Sequence, residues 1–282
     1  LKYFLDRGQV FEVFIHNMRL QSIERNEKLE AEHEGEHAAE SAEPETPAVV
    51  SPYCAPDEPA GGHKAIGFVA VAAGSGNADI LKSLGVDAVV SGGQTMNPST
   101  KDLYDAACTV DADAVIILPN NSNIVMAAQA AASLLDKPCM VVPTKSVPQA
   151  FTALFALDAD ADVASNAAAM TEALAFVKTG EVTTAIKDSR DSHGNPICAG
   201  DVIGIADGSI EAVTPTVEAA VLSLLGAMEA PAFDTLTILA GEDYADAEFD
   251  ALVDQIAEFY PNLDIDPHRG EQPLYPIVLS LE

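Results

Sequence analysis

The sequence ILPNNSNI carries a dense group of polar side chains directly after an apolar segment. Asn120, Asn121 and Asn123 place three amide groups within four positions, a composition that suits a polar binding loop. Asparagine also tolerates left-handed backbone and caps helices, so a purely structural turn is an equal alternative. The sequence predicts either a ligand-binding loop or a tight turn at this position.

A second loop, VPTKSVPQ, contributes Thr144, Lys145, Ser146 and Gln149. Lys145 is conspicuous because the chain has 44 acidic side chains and only 14 Lys and Arg. An ammonium group on a flexible stem is well suited to contact an anion. Lys145 is therefore the best single candidate for binding an anionic group.

A third loop, SGGQTMNPST, is rich in hydrogen-bonding groups and poor in charge. Ser99 follows a proline and is a natural helix N-cap, so capping explains part of this composition. It leaves Gln94, Thr95 and Asn97 as candidate contacts for a ligand or a partner.

Two weaker candidates complete the set. In AAGSGNADI, Gly74 and Gly76 permit close backbone approach, and the following helix N-terminus is a possible anion site. Because the full GxGxxG spacing is absent, a plain tight turn is the alternative. His268, in DPHRGEQPLYP, is a possible base or a residue that organises a turn.

None of these loops has the composition of a catalytic centre. The sequence contains no HExxH, no Walker A motif and no Ser-His-Asp ordering of the kind that supports hydrolysis. Amide and hydroxyl groups without a base indicate binding rather than turnover. We expect no metal site and no catalytic residue in this chain.

The four loops follow apolar runs that alternate with helix-like segments, a pattern typical of an α/β fold with a parallel sheet covered by helices on both faces. A second lobe with a mixed sheet and helices is predicted after residue 150. Predicted strands are 65–74, 86–90, 114–118, 139–142, 182–187, 202–206, 235–240 and 275–281, and predicted helices are 77–83, 100–108, 124–135, 149–157, 161–179, 216–228 and 245–260. An Asp-Gly turn is predicted at Asp207 and Gly208. Because ligands of parallel sheets lie beyond the carboxyl ends of the strands, the loops should meet at one edge.

Composition divides the 282 residues into four parts. Residues 1–26 resemble the end of an upstream domain, and residues 27–62, rich in Glu and Pro, are expected to form an extended linker. The parallel lobe is expected at 63–150 and the second lobe at 151–282.

Charge and hydropathy narrow the possible partners. The formal net charge of −30 repels nucleic acid and anionic membrane surfaces. No apolar run approaches the roughly 18 residues that a membrane span needs, so we expect no membrane insertion and a cytoplasmic location.

Several long strings resemble the C-terminal region of the fatty acid kinase A family (FakA/YloV-like). They are SGGQTMNPST, ILPNNSNI, VPTKSVPQ, MTEALAFVKTGEVTTAIKDS and PHRGEQPLYPIVLSLE. The opening VFIHNMRLQ is similar to the family's IDNMREQ segment and departs from it at Phe14, His16 and Leu20. The resemblance implies a DegV-like, two-lobed domain at the end of a three-part protein.

The same resemblance implies a function. The family phosphorylates fatty acids carried by a separate FakB-type fatty-acid-binding protein, with ATP and Mg²⁺ held by an N-terminal domain like the DhaL component of dihydroxyacetone kinase. This chain would dock that carrier or form a homodimer. The run from Thr95 to Ser99 resembles the TSQPS loop that binds the carboxylate in acyl-binding members, but it departs at Met96 and Asn97. Docking is therefore favoured, and a retained pocket for a fatty acid, acyl phosphate or other anion is the alternative.

Overall fold

A computed structural model of the chain describes residues 62–91, 97–191, 194 and 196–282. The predicted upstream remnant and all of the predicted linker except Gly62 lie outside these residues. Both sheets of the fold belong to one compact unit, Pro56–Glu282. No helix in the described ranges combines the length and apolar character needed to cross a membrane.

The first sheet has four parallel strands in the order β2-β1-β3-β4. They are β1 (Lys64–Val71), β2 (Ala88–Val90), β3 (Ala112–Leu118) and β4 (Cys139–Val141), and the connecting helices are α1 (Ser75–Ser83), α2 (Thr100–Thr109) and α3 (Val125–Leu134). The continuous apolar runs of β1 and β3 are buried on both faces, as parallel strands require.

Alternate residues of these strands enter different cores. Phe68 and Ile116 pack with Leu81 of α1 on one face, whereas Val69 and Ile117 pack with α2 and α3 on the other. The predicted parallel sheet with helices on both faces is therefore confirmed.

Two helices then cover the first face of the parallel sheet. They are α4 (Val147–Phe155) and α5 (Val163–Ala173), and a short 3-10 turn, Leu174–Phe176, follows α5. The predicted helix over 161–179 is wrong in its last third, because Thr179 lies in strand β5 (Lys178–Thr184). The run TGEVTT is rich in β-branched residues, which favour a strand over the helix that the preceding alanines suggest.

The second sheet is mixed, as predicted, and has six strands in the order β11-β10-β12-β5-β8-β9. The two further strands β6 (Ser189–Arg190) and β7 (Pro196–Ile197) form a small hairpin. The remaining strands are β8 (Val202–Ala206), β9 (Ser209–Thr214), β10 (Thr235–Ala240), β11 (Asp264–Arg269) and β12 (Ile277–Leu281). Helices α6 (Val217–Ala227) and α7 (Asp246–Phe259) cover one face, where Val182, Leu224 and Phe249 share a core.

Strands β9 and β11 were not predicted, for different reasons. Asp207 and Gly208 form the predicted turn with φ of 46° and 88°, and β9 is the return strand of this hairpin. Strand β11 has the polar sequence DIDPHR and lies at the edge of the sheet, where Pro267 needs no ladder hydrogen bond on its open side. His268 therefore lies in a strand and does not organise a turn.

The uncovered face of the mixed sheet packs against the parallel lobe. Leu239 of β10 and Val278 of β12 join the core formed by α4 and α5. The two lobes thus share a hydrophobic contact, and beside it the space between them forms a cavity.

Candidate functional site

A cavity of about 520 Å³ lies between the carboxyl end of the parallel sheet and the free face of the mixed sheet. The residues that follow β1, β3 and β4 line one wall, as expected for ligand sites of parallel sheets. Residues of β5, β8, β10 and β12 line the opposite wall. Of the predicted site residues, six line this cavity: Asn120, Asn121, Asn123, Lys145, Ser146 and Gln149.

Asn120 ties the strand ends of the parallel sheet together. Its backbone is left-handed, with φ of 56°, and its Nδ2 donates to the Val71 carbonyl oxygen at 2.8 Å. Its N–H donates to Oγ1 of Thr144, a fully buried side chain, at 3.0 Å. These bonds join the ends of β1, β3 and β4, so both residues first serve the framework of the cavity.

Asn121 and Asn123 complete a turn into α3. The Asn121 Oδ1 accepts from the Asn123 N–H at 2.9 Å, and the Asn121 carbonyl oxygen accepts from the Ile124 N–H at 3.0 Å. The exposed Asn123 side chain stands at the rim of the cavity. The loop is therefore both a structural turn and part of the lining, and the two alternatives that the sequence leaves open coexist.

The loop after β4 supplies a cation to the same wall. Ser146 is the N-cap of α4 and accepts from the Gln149 N–H at 3.4 Å, while the Gln149 Oε1 accepts from the Lys145 N–H at 2.8 Å. These bonds fix the backbone beside Lys145. Within the described part of the chain, the Lys145 ammonium group has no ion pair or hydrogen bond, so it can contact a ligand in the cavity.

The loop after β2 is only partly described. Gln94 and Thr95 lie outside the described residues, and Asn97 is exposed. Ser99 caps α2 in a capping box with Asp102: the Asp102 N–H donates to the Ser99 Oγ at 3.2 Å, and the Ser99 N–H donates to the Asp102 carboxylate at 2.8 Å. The hydrogen bonds from the Ser99 side chain and N–H lower the pKa of the Asp102 carboxyl.

Gly74 and Gly76 hold two backbones together. A Cβ on Gly76 would lie 1.8 Å from the Arg269 carbonyl oxygen, and a Cβ on Gly74 would lie 2.2 Å from that of Gly270. The N–H of Asn77 donates to the Gly270 carbonyl oxygen at 2.9 Å. Both glycines therefore serve the contact between α1 and the segment after β11, and Gly74 also lines a smaller cavity of about 370 Å³.

His268 is not brought to the cavity. Its Nε2 lies 2.8 Å from the Asp266 Oδ2 on the same edge strand, a partly exposed pair. The structure therefore separates His268 from the six predicted residues that line the cavity.

The wall formed by the mixed sheet was not predicted. Thr179 and Glu181 lie on the face of β5 that points away from α6 and α7, and Tyr275 precedes β12. Burial raises the pKa of the Glu181 carboxyl, and burial followed by the charge of Glu181 raises the pKa of the Tyr275 hydroxyl. Alternation of Thr179, Glu181 and Thr183 along a strand would have indicated a shared face.

A buried amide pair beside the cavity links the lobes. The Asn77 Nδ2 donates to the Gln272 Oε1 at 3.3 Å, and the Gln272 Nε2 donates to the carbonyl oxygens of Leu239 and Tyr275 at 3.0 and 3.1 Å. Neither amide was predicted, because each looks ordinary in its own sequence context.

The chemistry of the site is that of binding. Among the described residues, no three His, Cys, Asp or Glu side chains are grouped so as to hold a metal ion. The cavity presents amides, hydroxyls, one free ammonium group and one free carboxyl, with apolar side chains between them. Such a mixture can orient a ligand, whereas nucleophilic catalysis needs a nucleophile beside a base.

Comparison with known proteins covers almost the whole described chain. Residues 67–282 match the FakA-like family model, which describes the C-terminal region of fatty acid kinase proteins of this type. The whole chain is 39% identical to protein YloV of Bacillus subtilis (strain 168) and covers 47% of it. Over 76% of its length it is 37% identical to an uncharacterised protein of Staphylococcus aureus (strain USA300), of which it covers 39%. The chain thus spans half or less of the length of these relatives.

Solved structures show the same fold at low sequence identity. A Thermotoga maritima protein described as having a fatty acid binding function aligns with a TM-score of 0.57 and 13% identity, over 78% of this chain and 99% of that one. DegV of Bacillus subtilis, described as a fatty acid binding protein, aligns with a TM-score of 0.53 and 11% identity, over 77% and 99%. The dihydroxyacetone kinase of C. freundii aligns at 0.52 and 13%, over 77% and 47%. The predicted DegV-like, two-lobed fold is confirmed.

Proposed function

We propose that this chain, which belongs to the FakA-like C-terminal family, docks an acyl-carrying FakB-type partner or a second copy of itself. Docking would support ATP-dependent phosphorylation of fatty acids by a longer protein. ATP and Mg²⁺ would then be held by an N-terminal domain, and this chain alone would not turn over substrate. A linker at residues 27–62 would raise the local concentration of the bound partner.

The observation that carries this proposal is a pair of exposed phenylalanines. Phe155 ends α4 and is 75% exposed, and Phe176 ends the 3-10 turn and is 72% exposed. These two elements pack against each other. Large exposed aromatic side chains mark interaction sites, and aromatic residues are prominent among the few that carry most of the binding energy of an interface.

We expect the double variant Phe155→Ser/Phe176→Ser to bind the partner at least about thirtyfold more weakly. Loss of one such anchor typically costs about 2 kcal/mol or more, and 1.4 kcal/mol corresponds to a factor of ten. Calorimetric titration of the purified full chain with a purified, fatty-acid-loaded FakB-type protein measures this effect. Sedimentation of the chain alone measures self-association in the same way.

Phe259→Ser is the matched control, because Phe259 is 63% exposed on α7 and lies on the other side of the mixed sheet. Its binding should equal that of the original chain. If the double variant binds as tightly as the control, the phenylalanine pair is not the docking surface. If the original chain neither binds the carrier nor self-associates, the docking function itself is wrong.

A second candidate function follows from the cavity and Lys145, which together suit a fatty acid, an acyl phosphate or another anion. We expect Lys145→Met to weaken binding of decanoate about tenfold or more, because a charge-assisted hydrogen bond contributes about 1.5–3 kcal/mol. Lys187→Met is the control, since Lys187 is exposed between β5 and β6 and does not line the cavity. Equal loss in both variants, or in neither, would contradict an anion site at Lys145.

A further inference from the structure

Glu181 is an unpaired carboxyl in the cavity between the lobes. It lies in the middle of β5, and within the described ranges its side chain makes no hydrogen bond or ion pair. Asp207, another carboxyl of the same wall, is held differently: its Oδ1 accepts from the N–H and Oγ1 of Thr179 at 3.1 and 3.3 Å. Glu181 therefore has no structural bond that explains its position.

The neighbours of Glu181 on the sheet are apolar. Val278 of β12 and Ile205 of β8 are its register partners on either side, and both line the cavity. We call these three residues the Glu181 stripe. Leu174 and Val177 extend the apolar lining around it. A hydrocarbon chain that lay across this wall would cover the carboxyl and remove it from water.

Only four titratable groups line the cavity among the described residues: Lys145, Glu181, Asp207 and Tyr275. Lys145 stands on the parallel-sheet wall, Asp207 adds a second negative charge, and Tyr275 is a neutral phenol. The flanking strands contribute no charged side chain to the stripe itself. An ionised carboxylate that is buried without a partner costs far more free energy than a neutral carboxylic acid.

We propose that Glu181 determines which ligands the cavity admits: a hydrocarbon chain lies on the Glu181 stripe only when this carboxyl carries a proton. Chain binding and proton uptake are then coupled, and at alkaline pH the ionised carboxyl excludes hydrocarbon and leaves the cavity to polar ligands. This inference rests on the cavity function proposed above and is independent of docking at the phenylalanine pair.

The direction of the pH dependence follows from linkage. Burial already raises the pKa of Glu181, and a bound chain would raise it further by excluding water. Affinity is therefore full below the pKa of the free state, falls as the pH rises through it, and levels off above the pKa of the bound state. Each pH unit between these two values weakens binding about tenfold.

The test uses 1-decanol, whose head group does not titrate, bound to the full chain between about pH 5.5 and about pH 8.5, a range that brackets a raised carboxyl pKa. Calorimetric titration should show tighter binding at low pH for the original chain. Glu181→Gln keeps the size and stays neutral, so it should bind at least about tenfold more tightly at the alkaline end and lose the pH dependence. Glu181→Leu should do the same and serves if the glutamine variant does not fold.

Glu211→Gln is the control, since Glu211 is exposed on β9 and does not line the cavity. It should behave like the original chain. Equal affinity and equal pH dependence of the original chain and the Glu181 variants would overturn the proposal, as would no decanol binding to any of them. Failure of Lys145→Met to weaken decanoate binding would instead count against the anion site alone.

Discussion

Replacement of Gly76 by alanine should lower the free energy of unfolding by about 2 kcal/mol or more. Alanine is favoured over glycine inside a helix by about 1 kcal/mol, so helix propensity alone predicts stabilisation of α1. The new methyl group, however, would lie 1.8 Å from the Arg269 carbonyl oxygen, which is backbone and cannot rotate away. Overpacking of this kind costs about 1–3 kcal/mol. Separation of the segments would also weaken the Asn77 to Gly270 hydrogen bond, worth about 1 kcal/mol.

The control for this variant is Gly226→Ala in α6. A Cβ at Gly226 meets no atom within 4 Å, and this glycine is exposed in a helix, so the same change should stabilise the chain by about 0.5–1 kcal/mol. Urea unfolding followed by far-ultraviolet circular dichroism measures both variants. Stabilisation by both would show that the close contact at Gly76 yields without cost, and that contact would then not hold α1 against the second lobe.

The opposite signs expected at these two glycines show what sequence can and cannot predict. GSG followed by a helical segment indicates a tight turn, and the sequence supports that much locally. The segment that occupies the space over Gly74 and Gly76 comes from the far end of the chain: Asn77 and its partner Gln272 are 195 positions apart. Propensity and periodicity act over a few residues and carry no information on such a contact.

The wall of the cavity formed by the parallel sheet could be predicted because topology brings it together. The apolar runs of β1 and β3 identify buried strands, and parallel strands end at the same edge of their sheet. Asn120 and Lys145, which follow two different strands, therefore line one cavity. What these side chains do locally, such as the bond of Asn120 to the Val71 carbonyl oxygen, depends on register and could not be predicted.

The opposite wall was missed because of one misplaced boundary. Alanines and a glutamate before residue 176 favour a helix, and the prediction extended that helix to Thr179. Glu181 then fell between a predicted helix and a predicted strand, where no face can be assigned. In the structure β5 begins at Lys178, so Thr179 and Glu181 point the same way into the cavity. A shift of a few residues in one boundary thus hides half of the site.

Leu239 is the side chain on which the union of the lobes most depends, and Leu239→Ala should lower the free energy of unfolding by about 2–5 kcal/mol. This leucine is fully buried, comes from β10 of the mixed sheet, and packs in the core that α4 and α5 form on the parallel sheet. Truncation loses the transfer free energy of the removed atoms and leaves a void beside the cavity. Because whole domains have stabilities of about 5–15 kcal/mol, this is a large fraction.

Leu236→Ala tests whether the effect concerns the contact between the lobes or burial in general. Leu236 lies on the same strand and is equally buried, but it packs against α6 and α7 inside the second lobe. Both variants should lose similar stability. Only Leu239→Ala should separate the unfolding transitions of the lobes, because it weakens the contact that couples them. Hydrogen exchange of α2 and α6 in increasing urea follows each lobe. Coincident transitions in both variants would place the coupling elsewhere, and the buried Asn77–Gln272 amide pair would then be the contact that joins the lobes.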